Sequence, residues 1–247
     1  MGEGKPFLGS CNMGYRSAAR THIGMVRQRN EDAVLDRAEI GLWAVADGAG
    51  GHERGDYASA RIIENLAKIE AGARLVEEVK ARLSGVNNEL RAKAAVLGPD
   101  ALIGSTVVVL LIEAGKAHAL WAGDSRLYLG RGGRLRQLTR DQSYVQDLVD
   151  SGEITREEAA GHALSNILTN LVGGSDKLIL EERHDWLEPG DILLLCSDGL
   201  SGAVSDAEIA EVLGAYPVST AANRLIECAL AQGARDNVSV IVVEYAR

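Results

Sequence analysis

A chain of 247 residues, 46% of them hydrophobic, can bury a sizeable core as one large unit or two small ones. Its formal net charge of −9 argues against an obligate nucleic-acid binder, which needs clustered Lys and Arg to meet phosphates. No apolar stretch approaches the ~20 residues that span a bilayer, so neither nucleic acid nor membrane is expected as a partner.

Residues 1–14 lack the apolar core of a signal peptide and read as a loose tail, which points to a cytoplasmic protein. Cys11, Cys196 and Cys228 are odd in number and form no C-x-x-C pair, as expected of reduced thiols. A β-branched segment from Ala18 to Ile23 leads into the hydrophilic run Arg27 to Asp32. Strand candidates follow at Ala33–Leu35 and Gly41–Ala46, the second stopping at Asp47-Gly48-Ala49-Gly50-Gly51-His52 and so delivering Asp47 to a loop. Arg27 and Glu31, which flank the strand leading to Asp47, are site candidates, although charges beside a strand more often form a solvated turn.

Ala58, Ile62, Ile63, Leu66 and Ile69, then Leu75, Val79, Leu83, Val86 and Leu90, recur at helical spacing and predict two amphipathic helices ending at Gly98-Pro99-Asp100. Strands are predicted at Val107–Glu113, Ala117–Ala122, Leu127–Gly130 and Arg134–Leu138, with Gly115 and the pair Gly132-Gly133 supplying turns short enough for antiparallel hairpins. A polar, partly helical excursion from Asp141 to Asp176 interrupts the strand pattern. Strands return at Leu178–Arg183, Asp191–Cys196 and Val238–Tyr245, with two further helices before the last. Strands and helices come in blocks, which favours antiparallel sheets with helices packed outside.

Four carboxylates sit beside apolar strands: Asp47, Asp124 after Leu120-Trp121-Ala122-Gly123, Asp198 after Ile192 to Ser197, and Asp236 before Val238. A single Asp-Gly is more often a hairpin turn than a ligand. Repetition at strand ends instead suggests one acidic cluster, whose mutual repulsion calls for divalent cations of the hard, oxygen-seeking kind, Mg²⁺ or Mn²⁺. Ser105, Thr106 and Ser125 have no nearby His or Lys motif that would make them nucleophiles.

With these residues in hand, the chain resembles the metal-dependent protein Ser/Thr phosphatases of type 2C in their compact bacterial form. The matching pieces, in order, are Arg-x-x-Asn-Glu-Asp at 27–32, Asp-Gly-x-Gly-Gly-His at 47–52, Gly-Ser-Thr at 104–106, Gly-Asp-Ser-Arg at 123–126, Leu-Thr-x-Asp at 138–141, Gly-Asp at 190–191, Ser-Asp-Gly-Leu at 197–200 and Asp-Asn at 236–237. The resemblance implies an α+β fold, a four-layer α-β-β-α sandwich of two antiparallel sheets flanked by helices, with 15–247 a single catalytic domain and 141–176 its flap. It implies two Mn²⁺ or Mg²⁺ ions and a weaker third. Asp47 would bridge the first two, Asp198 and Asp236 would complete one, and Glu31 with the Gly48 carbonyl would hold the other. Asp124 and Asp198 would take the third ion, Arg27 would bind phosphate and Asp32 would orient the attacking water, which displaces phosphate directly with no phosphoenzyme. The implied substrates are phosphorylated Ser/Thr proteins, in opposition to a Ser/Thr kinase, with the enzyme a monomer.

Ala49 stands where many eukaryotic members carry a proposed acid histidine, and Asn170 replaces an arginine often found in the flap. His52 is more readily a structural hydrogen bonder than a substitute acid. A non-catalytic signalling module and a two-metal phosphodiesterase are the competing readings. The first is disfavoured by retention of Asp47, Asp198 and Asp236, the second by the acidic charge.

Overall fold

The computed structural model describes residues 14–49, 54–72 and 74–246. The expected N-terminal tail, except Gly14, lies outside them, as do Cys11, Gly50, Gly51 and His52. In chain order the elements are β1 (Tyr15–His22), β2 (Asp32–Arg37), a 3₁₀ turn (Ala38–Ile40), β3 (Leu42–Ala49), α1 (Gly55–Leu66), α2 (Leu75–Leu97), β4 (Gly104–Ser105) and β5 (Val107–Glu113). These are followed by β6 (Lys116–Ala122), β7 (Arg126–Arg131), β8 (Arg134–Gln137), α3 (Tyr144–Ser151), α4 (Arg156–Ala160), β9 (Glu181–Trp186) and β10 (Ile192–Cys196). The chain closes with α5 (Asp198–Ser201), α6 (Asp206–Ala215), α7 (Val218–Ala231) and β11 (Val238–Tyr245).

One sheet runs β1-β11-β10-β7-β8 and the other β2-β3-β5-β6-β9, with β4 on the end of β3; every pairing is antiparallel. The central strands are apolar on both faces because both faces are covered, and their two-residue period sorts the side chains. From β3, Leu42, Ala44 and Ala46 join Val107, Val109 and Leu111 of β5 against Ile62, Leu66, Leu83 and Leu90 of α1 and α2. Trp43, Val45, Val108 and Leu110 point the other way, meeting Leu193, Leu195, Ile241 and Val243 between the sheets. Val238, Val240 and Val242 of β11 pack on Ala222, Leu225 and Ala229 of α7. Three apolar layers thus separate four layers of structure, the α-β-β-α arrangement expected.

β5–β6 and β7–β8 are the hairpins expected at Gly115 and at Gly132-Gly133, while β6 and β7 belong to different sheets, so the chain crosses between sheets at Gly123–Ser125. It does so because Tyr128 and Leu194 face the α6–α7 layer, whereas Leu120 and Ala122 face α1–α2. One local expectation is corrected: Asp47 is not in a loop. β3 continues through it to Ala49, pairing Asp47 with Asp32 and Gly48 with Ser105.

The excursion at 141–176 carries α3 and α4, is bridged to the core by Val172 on Ser105, and is closed on itself by a bridge between Ser143 and Leu168. Among the described residues no helix is long and apolar enough to cross a membrane.

Candidate metal centre

The candidate carboxylates converge where the two sheets meet. Asp32 and Asp47 are directly opposite on β2 and β3, a placement that is unfavourable for two like charges. Asp198 is the first residue of α5 after β10, Asp236 precedes β11, and Asp124 lies in the β6–β7 crossover. Each of the two sheets therefore supplies a pair, and the crossing segment adds a fifth.

Hydroxyls hold the backbone that carries them. The Asp47 N–H donates to Thr106 Oγ1 at 3.2 Å, while its carbonyl accepts from Ser105 Oγ and from the Thr106 N–H, each at 2.8 Å. Thr106 Oγ1 and Ser125 Oγ are 2.7 Å apart. The Gly-Ser-Thr segment thus fixes Asp47 and supplies no nucleophile. Ser197 Oγ donates to Asp32 Oδ2 at 2.8 Å and accepts from the Ser239 N–H at 3.0 Å, tying β2 of one sheet to β10 and β11 of the other.

Glu31 and Gly48 also meet. A Cβ on Gly55 would lie 2.7 Å from the Gly48 carbonyl oxygen and 3.0 Å from Glu31 Cδ, so both groups lie over the start of α1. The Gly48 N–H donates to the Glu31 carbonyl at 3.1 Å, and Ser59 Oγ donates to that same carbonyl at 2.6 Å. Asn237 is the hub that positions this loop: its Oδ1 accepts from the Glu31 N–H at 2.8 Å, and its Nδ2 donates to the carbonyls of Ile23 and Arg29 at 2.8 and 2.9 Å. Its sequence signal was the Asp-Asn pair, in which only the Asp stood out as a candidate. Arg27 Nη2 donates to Asp236 Oδ2 at 2.5 Å, with Arg27 half exposed to the cleft.

Burial pushes the Asp32 carboxyl up to about 6 and the Asp124 carboxyl up to about 8, helped by neighbouring carboxylates. Burial, then Asp32, Asp198, Asp124 and Asp236, hold Asp47 well above the usual range. Asp198 is raised by burial and by Asp236, and Glu31 by burial and by Asp56, a carboxylate absent from the sequence-based candidates. Asp32 Oδ1 and Asp198 Oδ1 are buried with no hydrogen-bond partner.

Crowded carboxyls, two orphaned buried oxygens and an all-oxygen donor set suit a hard divalent cation. Among the described residues no three acidic, imidazole or thiol groups are already closed around one point; instead the Arg27 guanidinium neutralises Asp236.

Raised carboxyl pKa values fix a sign for stability. Between the ordinary Asp value near 4 and the folded values near 6 and 8, the folded chain binds more protons than the unfolded one, so its stability falls as pH rises. Metal-free protein is therefore expected to melt at a lower temperature at pH 8 than at pH 5. Saturating Mn²⁺ at pH 8 should raise the melting temperature, since the cation replaces the missing protons. Melting temperatures that rise from pH 5 to pH 8 without metal would contradict the cluster.

Other acidic motifs turn out to be scaffolding. Asp141 accepts from Arg126 Nε at 3.0 Å and Nη2 at 2.7 Å, and from Gln137 Nε2 at 2.8 Å. Asp191 accepts from Arg131 in the same two-pronged way. Asp141→Ala leaves the largely buried Arg126 unpaired and is expected to cost about 3 kcal/mol, read as a lower urea midpoint with metal absent.

Comparison with known proteins identifies the family. A family model described as Protein phosphatase 2C matches residues 20–238. The Ser/Thr protein phosphatase PstP of Mycobacterium tuberculosis is 39% identical over 93% of this chain, which spans 45% of that protein's length. Its crystal structure superposes with a TM-score of 0.86, covering 94% of this chain and 99% of that one. A further structure, of the PstP catalytic domain with two manganese ions, has a TM-score of 0.85 at 38% identity, covering 94% of this chain and 99% of that one. PppA, a regulatory component of the type VI secretion system in Pseudomonas aeruginosa, is 42% identical with a TM-score of 0.86, covering 93% of this chain and 97% of that one. By family model, sequence and fold alike, the chain belongs to the protein phosphatase 2C family of Ser/Thr protein phosphatases.

Proposed function

We propose that the protein hydrolyses phosphoserine and phosphothreonine in proteins, that its cluster holds two Mn²⁺ or Mg²⁺ ions with a weaker third, and that it opposes a Ser/Thr kinase. The observation that carries this reading is the meeting of Asp32, Asp47, Asp124, Asp198 and Asp236 at one seam, two of their buried oxygens without partners. Bound there, such ions supply Lewis acidity towards the phosphoryl group and a nucleophilic water near neutral pH.

The chain's own residues do the rest. Asp47, which feels the charges of Asp32, Asp198, Asp124 and Asp236, is the candidate to be shared by two ions; Asp198 and Asp236 would hold one, Glu31 and the Gly48 carbonyl the other, and Asp124 with Asp198 the third. Asp32 keeps one oxygen on Ser197 and leaves Oδ1 free to accept a proton from the attacking water. Arg27, released from Asp236, offers two N–H groups to phosphoryl oxygens, a match that Lys would not provide. The hydroxyls of Ser105, Thr106, Ser125 and Ser197 are engaged with backbone, a carboxylate or one another, which supports direct attack by water without a phosphoenzyme.

The test is phosphate release from a phosphothreonine peptide by metal-stripped protein titrated with Mn²⁺ and Mg²⁺. Release that appears only with metal supports the reading. Folded, metal-loaded protein that releases nothing from several phosphopeptides would end it.

A further inference from the structure

The outer face of the second sheet carries two imidazoles that the phosphatase chemistry does not use. His118 on β6 and His184 on β9 are directly paired across the strands and so project from the same face. Their ring centroids are 6.2 Å apart. His118 Nδ1 is buried and has no hydrogen-bond partner. Burial, with Lys116 nearby, holds the His118 pKa below its ordinary value, so the ring is neutral at pH 7.

From this pairing we infer a second cation site, in which the imidazoles of His118 and His184 together ligate one borderline transition ion of the Zn²⁺, Ni²⁺ or Cu²⁺ class. With metal–nitrogen bonds of about 2.0–2.1 Å, and about 1.1 Å from each nitrogen to its ring centre, two ligating rings have centroids about 5.2 Å apart at a tetrahedral angle and about 6.4 Å apart when they oppose each other across the ion. The observed 6.2 Å lies between these values, so ligation at a tetrahedral angle requires the two rings to turn about their side-chain bonds and close by about 1 Å. Neutral imidazole pairs select such ions over Mg²⁺ and Mn²⁺, which take oxygen. The two sites therefore differ in chemistry, the seam offering hard anionic oxygens and the sheet face imidazole nitrogens.

Glu182, two residues from His184 on the same face, accepts from Lys80 of α2 at 2.6 Å, so water rather than this carboxylate completes the coordination shell. An ion here would tie β9, the edge strand on which the chain returns from the 141–176 excursion, to β6 inside the sheet.

The experiment is calorimetric titration of the full chain with Ni²⁺ at pH 7.5 in a large excess of Mg²⁺, comparing the unaltered protein with His184→Ala and with His162→Ala, a half-buried histidine elsewhere. The expected result is one Ni²⁺ equivalent in the unaltered protein and His162→Ala, and binding at least tenfold weaker in His184→Ala. His184 is exposed on an edge strand, so that variant folds; His118→Ala then checks the second ligand, with unaltered melting as its control. Equal Ni²⁺ binding by His184→Ala, or no Ni²⁺ uptake at all, would overturn the assignment. The variants share the carboxylate seam, so any Ni²⁺ taken up there is common to all of them, and the difference between His184→Ala and the unaltered protein reads the sheet-face site alone.

Discussion

Asp198→Asn is expected to lower metal-dependent phosphate release by about 10²–10³-fold at saturating Mn²⁺. The substitution keeps the size of the side chain and its place at the start of α5 but removes one anionic donor, from a residue whose Oδ1 has no protein partner. Metal-assisted stabilisation of phosphoryl charge is worth several kcal/mol, and each ~1.4 kcal/mol is a factor of ten in rate. Because Asp198 is raised by burial and by Asp236, removing its charge relieves repulsion in the metal-free state. Metal-free Asp198→Asn should therefore melt no lower than the parent, which separates lost chemistry from lost fold. Activity within threefold of the parent would remove Asp198 from the centre.

Its neighbour predicts the opposite division. A Cβ on Gly199 would lie 1.9 Å from the Asn237 carbonyl oxygen and 2.9 Å from its carbon, and both are backbone atoms that cannot swing aside. Gly199→Ala must push α5 away from the start of β11, parting Asp198 from Asp236 and straining the hub at Asn237. A loss of about 3 kcal/mol or more is expected in chemical denaturation, at the upper end of what overpacking costs. Gly214→Ala provides the contrast: it lies in α6 with open space where its Cβ would go, and Ala there should be neutral or stabilising by about 0.5–1 kcal/mol. Equal effects at the two positions would mean that the Gly199 contact is not the cause.

Much of this was legible in the sequence because the signals are local. The two-residue period of Leu42 to Ala46 and Val238 to Val243 marks strands, and the spacing of Ala58, Ile62 and Leu66 marks α1. Asp47, Asp198 and Asp236 stand out because each interrupts or borders an apolar run. What was missed depends on partners distant in the chain. That β6 and β7 part into different sheets is decided by which layer covers Tyr128 and Leu120, and no feature of Gly123-Asp124-Ser125 shows it. α5 spans four residues, too few for any periodicity. Asn237 acquires its importance only when Ile23, Arg29 and Glu31 arrive from more than 200 positions earlier in the chain.

The seam between the sheets has a mechanical consequence. Asp32 and Asp47 belong to one sheet, Asp198 and Asp236 border strands of the other, and polar bonds such as Ser197 to Asp32 and Asn237 to Glu31 join the two sides there. Ions shared by the two pairs would act as rivets through the sandwich, resisting any sliding of one sheet over the other that the apolar layer alone, being non-directional, cannot forbid. Binding of the cation would then be felt well beyond the cleft, as slower amide exchange in β2, β3, β10 and β11 together, strands that lie in two different sheets and share no single ladder of hydrogen bonds.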